Sequence, residues 1–500
     1  MALRPPSSVQ LRAGDPDDDN REYLPESLKE SRVVVNENGN NSQPYPARLR
    51  EHRAVLSDGV AHEWYSFVPE NYDPSAPSPL VVSLHGGLMT GWGQAVYSSW
   101  TMIAEREGFI VVFPNATSRR MWTLDVAAEH IEAATTPNPA MVYLDPPADT
   151  IEDFADMKSI MALIQWACGE YAVDTRRVYI QGMSMGNSMG DQFARRYGAL
   201  LAGVAGSGGP SALGLLYDAD GLPLNRSGPV PTWLTLCEYD TAPPFAGGTD
   251  RAVFRGNRDY WLAVNGCDRL PRLRIDGHDN FAFYEGGAAP FVFRDVKNRD
   301  HGQTFDEAEL VWSHLFSGQR RAEDGAVITD APRAPREGDL AAVAVADARS
   351  RAWVAGRPVA LGGTAIRRTA WKYHGVVGDP LPRGEHILVP VTFLAQAFGG
   401  SVSVAADGST AEYLLSGGRR LTFAAGSIGC VVDDTLRAMT IETVLTEGTL
   451  HVPIEWIATH LLGLHASTCA GVLFMTDHHA LLSTHMAHLI DDLLADEVAG

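Results

Sequence analysis

The chain has 500 residues and a formal net charge of −21, and 45% of its residues are hydrophobic while 20% are charged. This composition is typical of a globular protein with large cores, and the length predicts roughly two to four domains. The acidic balance argues against nucleic-acid backbones and anionic membranes as partners. No apolar stretch reaches the roughly eighteen residues of a membrane span, so no membrane-spanning helix is expected.

The N-terminal segment, residues 1–45, is polar and acidic, which is typical of a solvated arm. Met1–Arg12 lacks the apolar stretch of a secretory signal peptide, so no leader is expected at face value. Five cysteines are spread along the chain without a C-x-x-C pair: Cys168, Cys237, Cys267, Cys430 and Cys469. Zinc ribbons and thioredoxin-like sites are therefore not expected, while a disulfide between two of these cysteines is left open.

Residues 46–320 alternate between predicted strands and predicted helices. Near-continuous apolar segments predict buried strands, after an early strand at 62–68, at 79–85, 109–113, 177–181, 202–206, 232–236 and 291–296. Amphipathic segments predict helices at 99–107, 153–168 and 307–316. Buried strands that alternate with helices indicate a parallel sheet covered on both faces. The expected fold class is therefore α/β, with a mostly parallel, doubly wound sheet.

The pattern changes after residue 320. Residues 321–344 are charged and contain prolines, which predicts a linker. An internal repeat follows, because 387–399 returns as 450–463, each with a strand end, a proline, an amphipathic helix and a glycine stop. We therefore predict a smaller α+β domain at 345–480. Residues 481–500 are expected to form a C-terminal helix and tail.

The most informative motif is Gly182-Met183-Ser184-Met185-Gly186. A β-prone segment leads into it, and a helix-like segment leads out. G-x-S-x-G between a strand and a helix is a nucleophile elbow, in which a tight turn projects the serine hydroxyl above the sheet edge. Flanking glycines let the strand and helix pack closely. Ser184 is the predicted nucleophile.

A serine nucleophile needs a base within hydrogen-bond reach and an acid that orients this base. In the α/β-hydrolase arrangement the three follow in the order Ser, Asp, His, and the acid lies in a loop after a strand. The loop after the strand at 232–236 carries Asp240, which we predict to be the acid. Glu238 and Asp250 are its rivals.

The predicted base is His301. It follows the last strand, 291–296, and precedes the closing helix. Its rival, His278, lies in a turn before that strand. The intact order of Ser184, Asp240 and His301 favours one catalytic triad.

Acyl transfer also needs backbone N–H groups that stabilise the developing oxyanion. One donor is expected from Met185, which follows the nucleophile and begins a helix. The second is expected from the glycine-rich turn His85-Gly86-Gly87-Leu88, after an early strand, with Gly87 as the predicted donor. Glycines there let a substrate carbonyl approach the backbone.

Several apolar residues are candidates for lining a substrate pocket, namely Trp92, Met183 and Trp122. No metal site is predicted. The pair His478-His479 has no third ligand that the sequence identifies.

Residues 50–320 resemble the poly(3-hydroxybutyrate) depolymerase/feruloyl esterase branch of the α/β-hydrolases. The resemblance lies in 79–87, 178–186, Tyr260-Trp261 with 265–267, and Asp300-His301-Gly302. It implies serine ester hydrolysis through an acyl-enzyme, without a metal or other cofactor, on hydroxyalkanoate, polysaccharide-linked or small esters. Two departures concern substrate choice: Leu236–Asp240 lacks the family's glycine-rich turn, and Asn187 replaces a common glycine.

Residues 345–480 resemble the stalk-like domain named after the copper amine oxidase N-terminus, through the doubled Leu388-Val389-Pro390 and His451-Val452-Pro453 unit. The resemblance implies a non-catalytic module for spacing, surface attachment or self-association, and no copper site. Both resemblances imply an extracellular or cell-surface location. The absence of a leader leaves the cytoplasm open.

The leading prediction is a serine carboxylic ester hydrolase with an ester substrate, which is a small molecule or a polymer. Two alternatives stay open. The same triad serves serine peptidases and acyltransferases, and a hydrolase-like body can also act as a non-catalytic surface or binding module.

Overall fold

The computed structural model describes residues 48–117, 121–125, 150–243, 246–371 and 381–495, together with the single residues 9, 11, 43 and 46. Almost all of the arm predicted at residues 1–45 lies outside this part of the chain. The chain divides into two compact units. The first consists of Met1–Arg269, Phe283–Arg294 and Arg299–Arg336, and the second of Leu270–Ala282, Asp295–Asn298 and Glu337–Gly500.

A ten-stranded sheet has the order β1-β2-β4-β3-β5-β6-β7-β10-β9-β8. The strand bounds are β1 Arg50–Ser57, β2 Val60–Phe67, β3 Ser78–Leu84, β4 Ile110–Pro114, β5 Val173–Met183, β6 Gly203–Ser207, β7 Thr232–Cys237, β8 Arg272–Asp276, β9 Asp279–Tyr284 and β10 Phe291–Val296. β4, β3, β5, β6 and β7 pair in parallel, whereas β1, β2 and β4 pair antiparallel. The predicted α/β-hydrolase fold with a mostly parallel sheet is confirmed.

Seven helices accompany these strands among the described residues of the first unit. Their bounds are α1 Gly91–Tyr97, α2 Trp100–Glu107, α3 Ala155–Glu170, α4 Met185–Tyr197, α5 Leu213–Leu216, α6 Asp250–Asn265 and α7 Glu307–His314, with 3₁₀ turns at Ile151–Asp153, Gly198–Leu200 and Phe316–Gly318. α4 packs on β5, β6 and β3, and α3 packs on β1 and β5. No helix in the described part of the chain is long and apolar enough to cross a membrane.

The strands form where the sequence is continuously apolar. All seven residues of β3 and all five of β4 are buried, as expected for strands covered on both faces. Sequence patterns missed β1, in which no residue is fully buried, and α1, whose seven residues are all buried. A helix that is buried all round carries no amphipathic signal.

The segment predicted as a linker, 321–344, contains regular structure. β11 (Gln319–Arg321) and β12 (Val327–Thr329) form an antiparallel hairpin that begins just before it. The domain boundaries inferred from the sequence stay a prediction.

The second unit is rich in strands. Its segment after Glu337 contains the strands β13 Val343–Ala346, β14 Arg351–Val354, β15 Arg357–Ala360, β16 Ile366–Trp371, β17 Pro382–Pro390, β18 Ser401–Val404, β19 Thr410–Leu414, β20 Arg420–Ala424, β21 Gly429–Val432, β22 Thr435–Ala438, β23 Val444–Thr446, β24 Thr449–Pro453, β25 His465–Cys469 and β26 Val472–Thr476. They form sheets of order β15-β14-β13-β26-β25, β16-β17-β24-β23 and β18-β19-β20-β21-β22. The helices are α8 Phe393–Phe398, α9 Ile454–Trp456, which continues as a π turn at Ile457–Leu461, and α10 Thr484–Ala495.

The two copies of the sequence repeat pair with each other. β17 and β24 are antiparallel, with Val389 opposite Val452 and with Leu388 opposite Pro453. Because Val389 and Val452 are equivalent positions of the repeat, the two copies are related by a local two-fold at the centre of the four-stranded sheet. Both valines are buried in the core of this unit.

Candidate active site

Ser184 lies in a sharp turn between β5 and α4. Its backbone has φ 56° and ψ −119°, which is strained for a residue with a side chain. A Cβ on Gly182 would lie 2.0 Å from the carbonyl oxygen of Gly186, and one on Gly186 would lie 2.4 Å from that of Leu84. Only glycine fits at either position, so the elbow forms where the G-x-S-x-G pattern predicts it.

The structure brings together the three residues predicted as a triad. His301 Nε2 lies 2.8 Å from Ser184 Oγ, and His301 Nδ1 lies 2.7 Å from Asp240 Oδ1. With the proton on Nδ1, the imidazole donates to the carboxylate and Nε2 accepts from the serine hydroxyl. Each contact falls within the range that proton transfer requires.

Asp240 is fixed by its own loop. The side chain is only 1% exposed, and its second oxygen, Oδ2, accepts a hydrogen bond of 2.7 Å from the backbone N–H of Cys237. The backbone N–H of Asp240 donates to the carbonyl of Cys237 at 2.8 Å, which closes a tight turn. One carboxylate oxygen is thereby left for His301.

The hydrogen bond to Asp240 raises the pKa of His301 above its ordinary value of 6.5, since the carboxylate stabilises the charged imidazolium. Burial acts in the opposite direction, and the charges of Asp240 and Asp300 add to the increase. The side chain of His301 remains 49% exposed, so a substrate can reach it.

The rival residues have other contacts. Asp250 Oδ1 accepts from the backbone N–H of Ala242 at 2.8 Å, in the first turn of α6. Glu238 is buried two residues before Asp240. His278 uses its carbonyl to accept from the backbone N–H of Lys297. The contact to Ser184 Oγ is made by His301, and the contact to His301 Nδ1 is made by Asp240.

Gly208 and Gly209, which the sequence analysis missed, form a turn against the triad. Both have positive φ values, 62° and 55°. A Cβ on Gly208 would lie 2.8 Å from His301 Cε1, and one on Gly209 would lie 2.1 Å from the carbonyl oxygen of Ser184. The glycine pair directly after the apolar strand β6 was the signal available in the sequence.

Asn187, noted from the sequence as a departure from the related pattern, holds this turn. Its Nδ2 donates to the carbonyl of Gly208, and the hydroxyl of Ser188 donates to the carbonyl of Gly209 at 2.8 Å. A Cβ on Gly206 would lie 1.6 Å from Asn187 Oδ1. The amide at 187 therefore requires the glycine at 206, and together they connect α4 to the end of β6.

The two residues predicted to supply oxyanion donors are neighbours. A Cβ on Gly87 would lie 3.0 Å from Met185 Sδ. The turn that carries Gly87 is closed by a 3.2 Å hydrogen bond from the N–H of Met89 to the carbonyl of Gly86. The side chain of His85, at the start of this turn, is fixed by the backbone N–H of Ala116, which donates to its Nε2 at 3.0 Å.

The predicted pocket residues are all buried. Trp122 donates from Nε1 to the carbonyl of His85 at 2.7 Å, so it braces the turn that carries Gly87. Met183 clusters with Met89 and Tyr97, and Trp92 lies in α1. Their role as substrate-lining residues stays a prediction.

Within the described residues of the second unit, one group of potential metal ligands occurs. The side chains of Asp339, Asp477 and His478 each offer one potential ligand atom, and these atoms lie within 4.8 Å of one another. Asp339 is therefore a neighbour of His478 that the sequence did not indicate. His478 Nε2 donates to the carbonyl of Ile275 at 2.8 Å, Nδ1 lies 3.0 Å from Asp477 Oδ1, and Asp339 accepts from Thr476 Oγ1. Each of the three side chains therefore already has a polar partner among the protein's own atoms.

Comparison with known proteins gives relatives for the hydrolase part. The chain is 30% identical over 199 residues to a protein named "Probable acetylxylan esterase A" from Neosartorya fischeri, which covers 38% of this chain and 45% of that protein. It is 28% identical over 199 residues to "Acetylxylan esterase A" from Talaromyces purpureogenus, with 38% and 44% covered. The chain thus spans less than half the length of these relatives.

Residues 378–465 match the family model "Copper amine oxidase N-terminal domain". The two resemblances predicted from the sequence, to esterases and to this domain, are confirmed.

Two solved structures each align with about half of this chain. The acetyl xylan esterase from Aspergillus awamori aligns with a TM-score of 0.37 at 16% identity, covering 54% of this chain and 98% of that one. A poly(3-hydroxybutyrate) depolymerase from Bordetella parapertussis aligns with a TM-score of 0.36 at 14% identity, covering 56% and 93%.

Proposed function

We propose that this chain is a serine carboxylic ester hydrolase that acts through an acyl-enzyme. The observation that carries the proposal is the continuous hydrogen-bonded series from Asp240 through His301 to Ser184, with the serine on a strained elbow. The relatives named as acetylxylan esterases support the same reaction class.

In the proposed reaction, Ser184 Oγ attacks the ester carbonyl while His301 Nε2 takes its proton. Asp240 keeps the other imidazole proton on Nδ1 and stabilises the imidazolium. The backbone N–H groups of Met185 and Gly87 donate to the oxyanion of the tetrahedral intermediate. His301 then returns the proton to the leaving alcohol, which leaves Ser184 acylated, and a water activated by the same imidazole releases the acid.

Esters of acylated polysaccharides are the first substrates to test, because the relatives carry the name acetylxylan esterase. Hydroxyalkanoate and small esters are the other proposed classes. A peptidase or acyltransferase would use the same three side chains, so a substrate panel separates these activities.

For residues 345–480 we propose a spacing, surface-attachment or self-association role, in keeping with the match at 378–465.

The test is a fluorophosphonate labelling experiment combined with that panel. The wild type should be labelled at Ser184 and should hydrolyse p-nitrophenyl acetate and acetylated xylan faster than a peptide amide. Ser184→Ala should lose labelling and about 10⁴–10⁶-fold of turnover, since the nucleophile is absent. Ser75→Ala, which removes an exposed turn hydroxyl, is the control and should behave as wild type.

Retention of labelling or of ester turnover by Ser184→Ala would contradict the proposed nucleophile. A folded wild type that neither reacts with the probe nor cleaves any ester would instead favour the non-catalytic binding module.

A further inference from the structure

A buried ion pair lies in the first unit between β10 and α7. Arg294 and Glu307 are 1% and 2% exposed, and Arg294 Nη1 donates to Glu307 Oε2. Arg294 also donates to Thr304 Oγ1 at 2.9 Å. Burial of two charges costs desolvation free energy that hydrophobic residues of similar volume do not incur, so a buried pair is weak evidence for a purely stabilising role.

The other carboxylate oxygen of Glu307 gathers three donors from two neighbouring strands. Glu307 Oε1 accepts from Ser207 Oγ at 2.9 Å, from Thr235 Oγ1 at 2.7 Å and from Trp233 Nε1 at 3.1 Å. Ser207 is the last residue of β6, and Thr235 lies near the carboxyl end of β7. One carboxylate thus joins the ends of two strands at the edge where the triad lies.

The same residues hold the triad through their backbones. The carbonyl of Ser207 accepts from the N–H of Ser184 at 2.7 Å, and the carbonyl of Thr235 accepts from the N–H of Gly208 at 3.0 Å. Gly208 in turn packs against the imidazole of His301, since a Cβ at position 208 would lie 2.8 Å from the ring. The end of β6, which Glu307 binds through Ser207, therefore supports Ser184. The end of β7, which Glu307 binds through Thr235, supports His301 by way of Gly208.

We infer that Glu307 is a positioning residue: it fixes the carboxyl ends of β6 and β7 and thereby sets the alignment of Ser184 with His301. The inference rests on the proposed function, because alignment matters only if this pair transfers a proton. Small displacements of reacting groups are costly, and a shift of about 1 Å lowers turnover by about 100-fold.

The experiment compares variants that remove or retain the side-chain oxygen at position 307, which accepts the three hydrogen bonds. Glu307→Ala should lower kcat for p-nitrophenyl acetate and the rate of fluorophosphonate labelling by about 10–100-fold with KM within about twofold, because alignment and not binding is lost. The double variant Glu307→Gln with Arg294→Met keeps an oxygen for the three donors and leaves no buried charge unpaired, since Asp306, the other carboxylate paired with Arg294, is 56% exposed. It should recover most of the lost kcat.

The control is Arg321→Met. Arg321 is also buried and donates to the carbonyls of Gly198 and Leu201, before the amino end of β6. Its substitution should lower the thermal midpoint without changing kcat of the folded protein. If Glu307 had only a structural role, Glu307→Ala would likewise lower the thermal midpoint and leave kcat unchanged.

A folded Glu307→Ala with wild-type kcat and labelling rate would overturn the inference. If Glu307→Ala does not fold, Thr235→Val, which removes one donor and keeps the side-chain shape, decides instead: an unchanged kcat overturns the inference, and a drop of several-fold supports it. A wild type that neither cleaves esters nor reacts with the probe would refute the proposed function itself. That result is seen without any substitution, so it is distinct from a failure of the inference about Glu307.

Discussion

At the scale of single residues, His301 connects the proposed nucleophile to a buried carboxylate. Its imidazole is half exposed and reaches Ser184, while its other nitrogen contacts Asp240, which is almost fully buried. Because the carboxylate is fixed by the N–H of Cys237, the ring is held in one orientation and one tautomer. The pKa of His301 therefore controls the protonation state of the proposed base.

The pH dependence of kcat/KM tests whether Asp240 sets the pKa of His301. The base acts only when neutral, so kcat/KM should rise with pH through the pKa of His301, and the midpoint should lie above the ordinary 6.5 because Asp240 raises it. Asp240→Asn removes the largest contribution to that increase, so burial, which lowers the pKa, is then opposed by the smaller contribution of Asp300. Its midpoint should therefore move to lower pH, while kcat falls by about 10⁴-fold.

The measurement is kcat/KM for p-nitrophenyl acetate across the range from acidic to mildly alkaline pH, corrected for spontaneous hydrolysis. An unchanged midpoint in Asp240→Asn would show that the carboxylate does not control the base.

At the scale of elements, the site is formed by the carboxyl ends of parallel strands and the turns that follow them. Ser184 follows β5, the Gly208–Gly209 turn follows β6, and Asp240 follows β7. The positive φ values of Ser184, Gly208 and Gly209 show that these turns are tight. The site therefore depends on turn geometry as well as on the three side chains of the proposed triad.

Gly209→Ala tests the turn. Position 209 has φ 55°, and a Cβ would lie 2.1 Å from the carbonyl oxygen of Ser184, so the elbow backbone must shift. We expect a stability loss of about 1–3 kcal/mol and at least a tenfold loss of kcat. Chemical denaturation and ester hydrolysis measure the two effects.

The matched control is Gly214→Ala in α5. A Cβ there meets no atom within 4 Å, so stability should change by less than about 1 kcal/mol and kcat should stay at the wild-type level. Equal kcat for the two variants would refute the argument that Gly209 shapes the elbow.

At the scale of the whole molecule, packing rather than cross-links holds the chain together. All five cysteines lie in the described part of the chain and all are free thiols, so the disulfide that the sequence left open does not form there. Burial raises the pKa of Cys267 and of Cys430 to about 12, which makes both thiols poor nucleophiles at neutral pH.

Reductant should therefore leave the thermal midpoint unchanged. Under denaturing conditions without reductant, iodoacetamide should add one adduct to each of the five cysteines, which intact-mass spectrometry counts directly. Native protein should react slowly at Cys267 and Cys430. A shortfall of two adducts under denaturing conditions, recovered after reduction, would reveal a disulfide.

Much of the fold could be predicted from local patterns. β3 and β4 were predicted because a strand covered on both faces is apolar throughout, and the repeat in the second unit was visible because both copies contain the same strand, proline and helix. β1 and α1 were missed because an exposed edge strand and a fully buried helix lack the expected periodicity. Glu307 was missed because a charge at a helix start is ordinarily solvent-exposed.

The sequence alone determined the elbow at Ser184 and the order of candidates along the chain, because a nucleophile elbow and a strand-to-loop transition are local features that span a few residues. Only the tertiary structure decided that Asp240 meets His301, that Gly208 and Gly209 contact the triad, and that Glu307 joins two strand ends. His301 is 61 residues from Asp240 and 117 from Ser184, and distances of that kind are set by the packing of strands side by side and not by any pattern within one strand.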